Sequence, residues 1–335
     1  TLSAGAPAAP ALDDLNGDGL LDIISGHGAG TLDYFQNTGT ISVPAWTHQT
    51  DAYGGVSEGE GLYPAFVDLD GDTDLDMLVG LCGRVLWYER SGTAVAPTWT
   101  RVDADPIGYG GGSCANSPGV GDWSRDGAPD LVLGEHWGSL RFFHNDGVPS
   151  WSEQSFEFPF ELGGDTAAAL ADWDDDDDLD MLLGDVWGNV HAYRNDGSAS
   201  EPDWRSEGVL LSIPWTDHPR AFVALADING DGDHDLFIGE GGWQGPGAGG
   251  NIHYYENQGT PQVPNWNLIT DQWLGLDVGG WSHPAFVDIN NDGDLDLFVG
   301  AEDGTLAYVQ NIGTYTTPIW AAPVQPYAAL QFGPY

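Results

Sequence analysis

Six copies of one nine-residue pattern, Asp-x-(Asp/Asn/Ser)-x-Asp-x-x-x-Asp, begin at Asp14, Asp68, Asp122, Asp172, Asp227 and Asp288. The starts lie 54, 54, 50, 55 and 61 residues apart, so the repeat uses nearly all of the 335 residues. A unit recurring at such a period buries its apolar surface against copies of itself, which leaves repeat architectures and little else.

The residues around each copy say which architecture. A short apolar run precedes the pattern, as in Pro64-Ala-Phe-Val67, and a second run ending in glycine follows it, as in Met77-Leu-Val-Gly80. A third run is aromatic (Leu86-Trp-Tyr88, Ile252-His-Tyr-Tyr255) and closes on a turn signal such as Asn37-Thr-Gly39 or Asn257-Gln-Gly259. A fourth opens on Trp46, Trp99, Trp151, Trp204, Trp266 or Trp320. Four short strands per ~50 residues, punctuated by turn residues and with no helical period, are the pattern of a β-propeller blade. The expectation is an all-β, six-bladed propeller of four-stranded antiparallel blades forming one domain over 1–335, with repeats at about 5–58, 59–112, 113–164, 165–216, 217–278 and 279–335. Seven blades, or a piece of a longer array, is the alternative, because the tail Gln331-Phe-Gly-Pro-Tyr335 resembles the approach to another blade.

The nine-residue pattern lies between strands 1 and 2. Side chains at its positions 1, 3, 5 and 9, with a backbone carbonyl at 7, can surround one hard cation, and Ca²⁺ takes roughly 6–8 oxygens in a flexible cage. The sets are Asp14, Asn16, Asp18, Leu20 and Asp22; Asp68, Asp70, Asp72, Asp74 and Asp76; and Asp122, Ser124, Asp126, Ala128 and Asp130. The later three are Asp172, Asp174, Asp176, Asp178 and Asp180; Asp227, Asn229, Asp231, Asp233 and Asp235; and Asp288, Asn290, Asp292, Asp294 and Asp296. One acidic run is ordinarily a solvated turn, but six in the same register point to up to six structural Ca²⁺ ions. The third loop, with Ser124 and Arg125, is the expected weakest; the fourth lacks both glycines, so its backbone is expected to be strained or more dependent on metal.

Charge narrows the partners. There are 52 acids, eight arginines and no lysine, for a formal charge of −44. Such a surface repels phosphate backbones and anionic lipid, so nucleic acid is excluded as a partner. No apolar run approaches the ~18 residues of a membrane span, so membrane insertion is excluded as well. Without an initiator Met or a signal-peptide pattern, the chain reads as a mature or excised segment.

The acidic loop, flanked by Pro-Ala-Phe-Val-Asp and Leu-Asp-Leu-Phe-Val-Gly, resembles the FG-GAP/VCBS repeat family, which includes the integrin α-subunit propeller and fungal propeller lectins. The resemblance covers roughly residues 5–320. It implies extracellular adhesion or glycan binding, with Ca²⁺ holding the hairpins rather than acting in catalysis, and a secreted or cell-surface location.

A working face follows from topology. Strand 2–3 turns and blade-to-blade connections share the face opposite the acidic loops. That face collects Trp137, Trp187, Trp215, Trp243 and Trp281, the acids Glu135, Asp185, Glu240 and Glu302, and Tyr63, Tyr109, His136, His218 and His283. Trp beside carboxylates is a common way to stack a sugar ring and bond its hydroxyls; the competing reading packs these indoles between blades. The insertion 241–250 is the most irregular loop there. Cys82 and Cys114 fall on the same face and form a candidate disulfide, worth roughly 3–4 kcal/mol by chain entropy.

Catalytic motifs are absent: the sequence has no P-loop and no His-Glu-x-x-His, and its one Gly-x-Ser-x-Gly match, Gly55-Val-Ser-Glu-Gly59, is followed by no helical pattern that would make it a nucleophile elbow. The preferred expectation is a non-enzymatic, calcium-stabilised module that binds a glycan or an extracellular protein. The alternatives are a structural component of a surface assembly and a polysaccharide-active enzyme. The scarcity of basic residues weighs against a lyase.

Overall fold

A computed structural model describes residues 10–325 apart from 28–29, 42–43, 59–61, 82, 94–95, 104–106, 108–117, 123, 125, 135–139, 148–150, 155–166, 199–202, 214–219, 242–249, 280 and 302–304. The chain forms an all-β, six-bladed propeller whose sheets are antiparallel meanders in sequence order. Two compact units hold three blades each. In the first, blade 1 comprises Pro10–Asp13, Asp22–His27, Thr31–Asn37 and Trp46–Thr50. Blade 2 comprises Tyr63–Val67, Asp76–Leu81, Arg84–Thr93 and Ala96–Asp103, and blade 3 comprises Pro118–Gly121, Asp130–Gly134, Leu140–Asn145 and Trp151–Gln154. In the second unit, blade 4 comprises Ala167–Ala171, Asp180–Gly184, Asn189–Asn195 and Trp204–Ser212. Blade 5 comprises Arg220–Ala226, Asp235–Gly241, Ile252–Asn257 and Trp266–Thr270, and blade 6 comprises His283–Val287, Asp296–Gly300 and Leu306–Val309.

Among the described residues, blade 6 shows three of the expected four strands. Where strand 4 belongs, the chain makes only isolated bridges, Asn311 to Trp320 and Tyr308 to Val324. The register survives even so: Trp320 stands opposite Asn311 as Trp46, Trp151, Trp204 and Trp266 stand opposite Asn37, Asn145, Asn195 and Asn257. The Asn side chain makes this join. Asn257 Oδ1 accepts the N–H groups of Gly259 (3.0 Å) and Asn265 (2.9 Å), so one carbonyl closes the turn and starts strand 4. Blade 2 has Arg90 here and instead runs strands 3 and 4 as one long hairpin.

Blades within a unit meet through apolar layers. Strand 2 is buried on both faces, so it reads as a continuous apolar run, not an alternating one. Leu182, Val190, Leu236 and Ile238 join blade 4 to blade 5, and Phe237, Leu297 and Val299 join blade 5 to blade 6. The repeated tryptophans cap these layers, Trp266 lying 5.5 Å from Trp173 and Trp320 lying 5.0 Å from Trp273. Each such large side chain contributes about 1.5–3 kcal/mol by leaving water. Helix is confined, among the described residues, to single 3₁₀ turns at Tyr53–Gly55 and Trp273–Gly275, whose aromatic rings turn into the core. None is long and apolar enough to cross a membrane.

The glycine ending strand 2 has a steric reason. A Cβ on Gly26, Gly184 or Gly239 would sit 2.0, 2.0 and 1.8 Å from the carbonyl oxygens of Leu62, Ala221 and Ser282 in the next blade. Backbone bonds from Ala221 N to Asp185 O and from Ser282 N to Glu240 O, both 3.1 Å, lock that approach.

Candidate metal loops and rim site

The six acidic loops share one hydrogen-bond scheme. The position 1 carboxylate accepts loop N–H groups on both oxygens: in loop 5, Asp227 Oδ1 takes Gly230 N at 2.7 Å and Oδ2 takes Gly232 N at 3.0 Å. The same holds for Asp14, Asp68, Asp122, Asp172 and Asp288. The position 5 carboxylate accepts the position 7 N–H in every loop, so Leu20, Asp74, Ala128, Asp178, Asp233 and Asp294 all donate to the residue two before them. A carboxylate offers about four lone-pair positions, so these bonds leave acceptor capacity for a cation.

Position 9 does something the spacing alone did not reveal. Asp22, Asp76, Asp130, Asp180, Asp235 and Asp296 are fully or almost fully buried at the head of strand 2. One oxygen of each accepts the N–H of the last core residue of strand 3: Asn37, Arg90, Asn145, Asn195, Asn257 or Asn311. The other turns toward the loop or strand 3, meeting Asn16 and Tyr34 from Asp22, or Tyr308 from Asp296. Burial pushes Asp22, Asp76 and Asp296 up to about 6, and Asp180 and Asp235 up to about 7, against the lowering effect of those N–H groups. Their negative charge is therefore costly unless a cation stands nearby.

The residues fit a hard divalent ion. Oxygens of Asp68, Asp70 and Asp72 converge within 4.8 Å of one another, as do those of Asp172, Asp174 and Asp176. Asp174 Oδ1 and Asp180 Oδ2 are buried without a hydrogen-bond partner. All side-chain donors are oxygen, which suits Ca²⁺. Loops 1, 5 and 6 use Asn16, Asn229 and Asn290 at position 3, and loop 3 uses Ser124. The expected strain in loop 4 is present: Asp175 (φ 60°) and Asp177 (φ 74°) hold left-handed conformations that Gly17 and Gly19 supply in loop 1, at about 1–2 kcal/mol per residue.

On the opposite face, the described candidates divide. Trp187 is 47% exposed. Its turn is fixed by Asp185, whose Oδ1 accepts Trp187 N (2.9 Å) and Asn189 N (2.8 Å) and whose Oδ2 accepts Asn189 Nδ2 (2.8 Å) and His191 Nε2 (2.9 Å). Burial pushes Asp185 up, but the bonds from His191, Asn189 and Trp187 outweigh it and hold the carboxyl below its usual range. Glu240 repeats the arrangement one blade on, bonded to His253 Nε2 (2.6 Å) and Asn251 Nδ2 (3.2 Å). The two acids expected to face a ligand are thus buried, and they brace the turns instead.

Trp281 and His283 likewise differ from the expectation of open rim residues. The Arg220 guanidinium lies 4.4 Å over the Trp281 ring, and the His283 ring stacks 3.7 Å from Phe222. Inner strands of blades 5 and 6 bring equivalent positions together, Arg220 with Trp281 and Phe222 with His283, a seam that no motif announced. Tyr63, the matching position of blade 2, is buried too. Trp137, Trp215, Trp243, Glu135, His218, Tyr109, His136 and Glu302 lie outside the described residues, as do Cys82 and Cys114.

His283 Nε2 is buried without a partner, and burial pushes the imidazole down to about 4. The unfolded chain takes up a proton near pH 6.5 and the fold resists it until about 4. The stability contribution is therefore whole above pH 6.5 and lost as pH falls toward 4. His283→Phe, copying Phe222, should lose less melting temperature than wild type between pH 7 and 5 in saturating Ca²⁺. Parallel losses would show that this imidazole does not set the acid sensitivity.

Comparison with known proteins agrees with the architecture. A solved structure describing recognition of non-reducing terminal N-acetylglucosamine by an Agrocybe aegerita lectin is 15% identical, covers 98% of this chain and 82% of its own, and superposes with a TM-score of 0.60. A mutant of AofleA from Arthrobotrys oligospora is 11% identical over 95% of this chain and 89% of that chain, with a TM-score of 0.57. The Tc holotoxin pore of Photorhabdus luminescens is 18% identical over 92% of this chain and 15% of that one, with a TM-score of 0.51. No curated protein sequence matches. The FG-GAP-like repeat pattern matches residues 14–79, 122–183, 172–238 and 227–299, more than half of the sequence. The chain therefore belongs to the family of FG-GAP-like repeat proteins.

Proposed function

We propose that this chain is a calcium-stabilised, non-enzymatic propeller that binds glycans outside the cell, secreted or held at a surface. The observation that carries the reading is Trp187, a large apolar ring left nearly half exposed on a turn that Asp185 makes rigid. An indole held still in water loses little entropy on meeting a ligand, and its flat face matches the C–H face of a pyranose. The fold it shares with an N-acetylglucosamine-recognising lectin supports the same reading. The acidic loops would hold the ions and the turns opposite would meet the sugar.

The test is a glycan array in millimolar Ca²⁺ with wild type and Trp187→Ala. Binding should fall at least tenfold in the variant while the melting temperature moves by no more than about 2 °C, as for an exposed substitution. Unfolding of the variant would make the indole a packing residue and remove it from the site. A second reading, a protein-binding part of a surface assembly, is favoured by the exposed Val209 and Leu210 on strand 4 of blade 4 and by Leu268 and Ile269 on strand 4 of blade 5. A blank array from folded, Ca²⁺-loaded protein would move the assignment there.

A further inference from the structure

Loops 2 and 4 carry aspartate at positions 1, 3 and 5, and their carboxylates cluster alike, yet they differ in what faces them. From strand 3 of blade 4, Arg194 reaches across to Asp174, with Nη1 2.5 Å from Oδ2. Glu207 on strand 4 stands behind the guanidinium, 3.8 Å from Nε. The arginine occupies the position just before the strand 3 residue whose N–H bonds the buried position 9 aspartate. The same position holds Gln36, Glu89, Glu256 and Gln310 in blades 1, 2, 5 and 6, and none of these brings positive charge. Blade 3 has His144 there, 2.9 Å from Asp130 and 3.7 Å from Asp126.

We propose that Arg194 is a built-in counter-ion of loop 4, supplying from the chain part of the positive charge that loop 2 must take from a metal. The geometry leaves room for both. Arg194 engages one oxygen of Asp174, while Asp174 Oδ1 and Asp180 Oδ2, both on nearly or fully buried side chains, remain without hydrogen-bond partners. A guanidinium held by its own backbone does not leave on dilution, so loop 4 keeps its hydrogen-bonded shape in chelator and binds Ca²⁺ less tightly than the same carboxylates would without it. Loop 2, with Glu89 at the equivalent position, has no such substitute among the described residues and opens when the ion is removed. This rests on the metal reading of the loops.

The experiment is amide hydrogen exchange on the whole chain in millimolar CaCl₂ and in EDTA, for wild type, Arg194→Gln and Glu89→Arg. In EDTA, wild-type Gly71, Asp72 and Thr73 should exchange at least tenfold faster than in Ca²⁺, while Asp176, Asp177 and Asp178 change less than threefold. Arg194→Gln should bring the loop 4 amides to the loop 2 behaviour, and Ca²⁺ should restore them. Loop 4 opening in wild type as far as loop 2, or no change at loop 4 in Arg194→Gln, would overturn the proposal. If Arg194→Gln does not fold even in Ca²⁺, Glu89→Arg decides: retained protection of loop 2 in EDTA supports the counter-ion role, and lost protection defeats it. If EDTA moves no loop in wild type, the metal reading fails by itself. The arginine is still judged from whether Arg194→Gln opens loop 4.

Discussion

Chelation is expected to lower the melting temperature by roughly 10 °C or more. Each ion bound only by the folded chain adds RT ln(1 + [L]/Kd), about 4 kcal/mol at a thousandfold excess over Kd. At this chain length, 1 kcal/mol moves the midpoint by about 1–2 °C. Several loops emptied together therefore sum to a large shift, even if each site is only moderately tight. The structure adds a specific reason: the position 9 carboxylates are buried beside other acids, and that charge is left uncompensated when the cation goes. Calorimetry in millimolar CaCl₂ against EDTA is the check. An unchanged melt would mean that the loops hold their shape by the internal N–H bonds alone and that calcium has no structural part.

The second large effect is steric. Gly239→Ala should cost about 3 kcal/mol or more, because its Cβ would lie 1.8 Å from Ser282 O and 2.7 Å from the Ser282 carbonyl carbon and Oγ. Those backbone atoms cannot rotate away, and Ser282 N is tied to Glu240 O in the same contact. The whole inner edge of blade 6 would have to shift. Gly121→Ala is the control, since nothing lies within 4 Å of the added methyl. A denaturant melt in Ca²⁺ should separate the two by their midpoints, with Gly121→Ala within 0.5 kcal/mol of wild type. Equal stabilities would mean that the blades are free to move apart at this seam.

The chemistry that repeats was legible in the sequence, and the chemistry that depends on register was not. Acidic loops, apolar second strands and the Asn-x-Gly turns recur in fixed order, so blade number and strand order follow from spacing. The hub role of Asp235 could not be read that way: the N–H it accepts belongs to Asn257, 22 residues on, across an irregular loop. Asp185 and Glu240 looked like rim acids because they follow the strand 2 glycine. What buries them is a histidine four residues before the end of strand 3, which the hairpin folds back onto each carboxylate. The stacking of Arg220 on Trp281 joins positions 61 residues apart that are equivalent in adjacent blades. A periodicity argument sees such positions as copies and not as neighbours. The short pairing at the end of blade 6 is of the same kind: Trp320 marks the start of strand 4, but among the described residues too few after it pair with strand 3 to build a ladder.

The histidine–acid braces also bear on how such a chain can be recombined. The residue after the strand 2 glycine (or after the matching Gly80 in blade 2) pairs with the one four positions before the strand 3 anchor. Among the described side chains the couples are Leu81 with Leu86, Asp185 with His191, Glu240 with His253 and Ala301 with Ala307. Acid meets base, oil meets oil and small meets small. A chimera that joined strand 2 of blade 4 to strand 3 of blade 1 would set Asp185 against Asp33, while grafting the intact strand 2–3 hairpin would carry its own match. The transferable module is the hairpin, and shuffling within it separates the two halves of a lock.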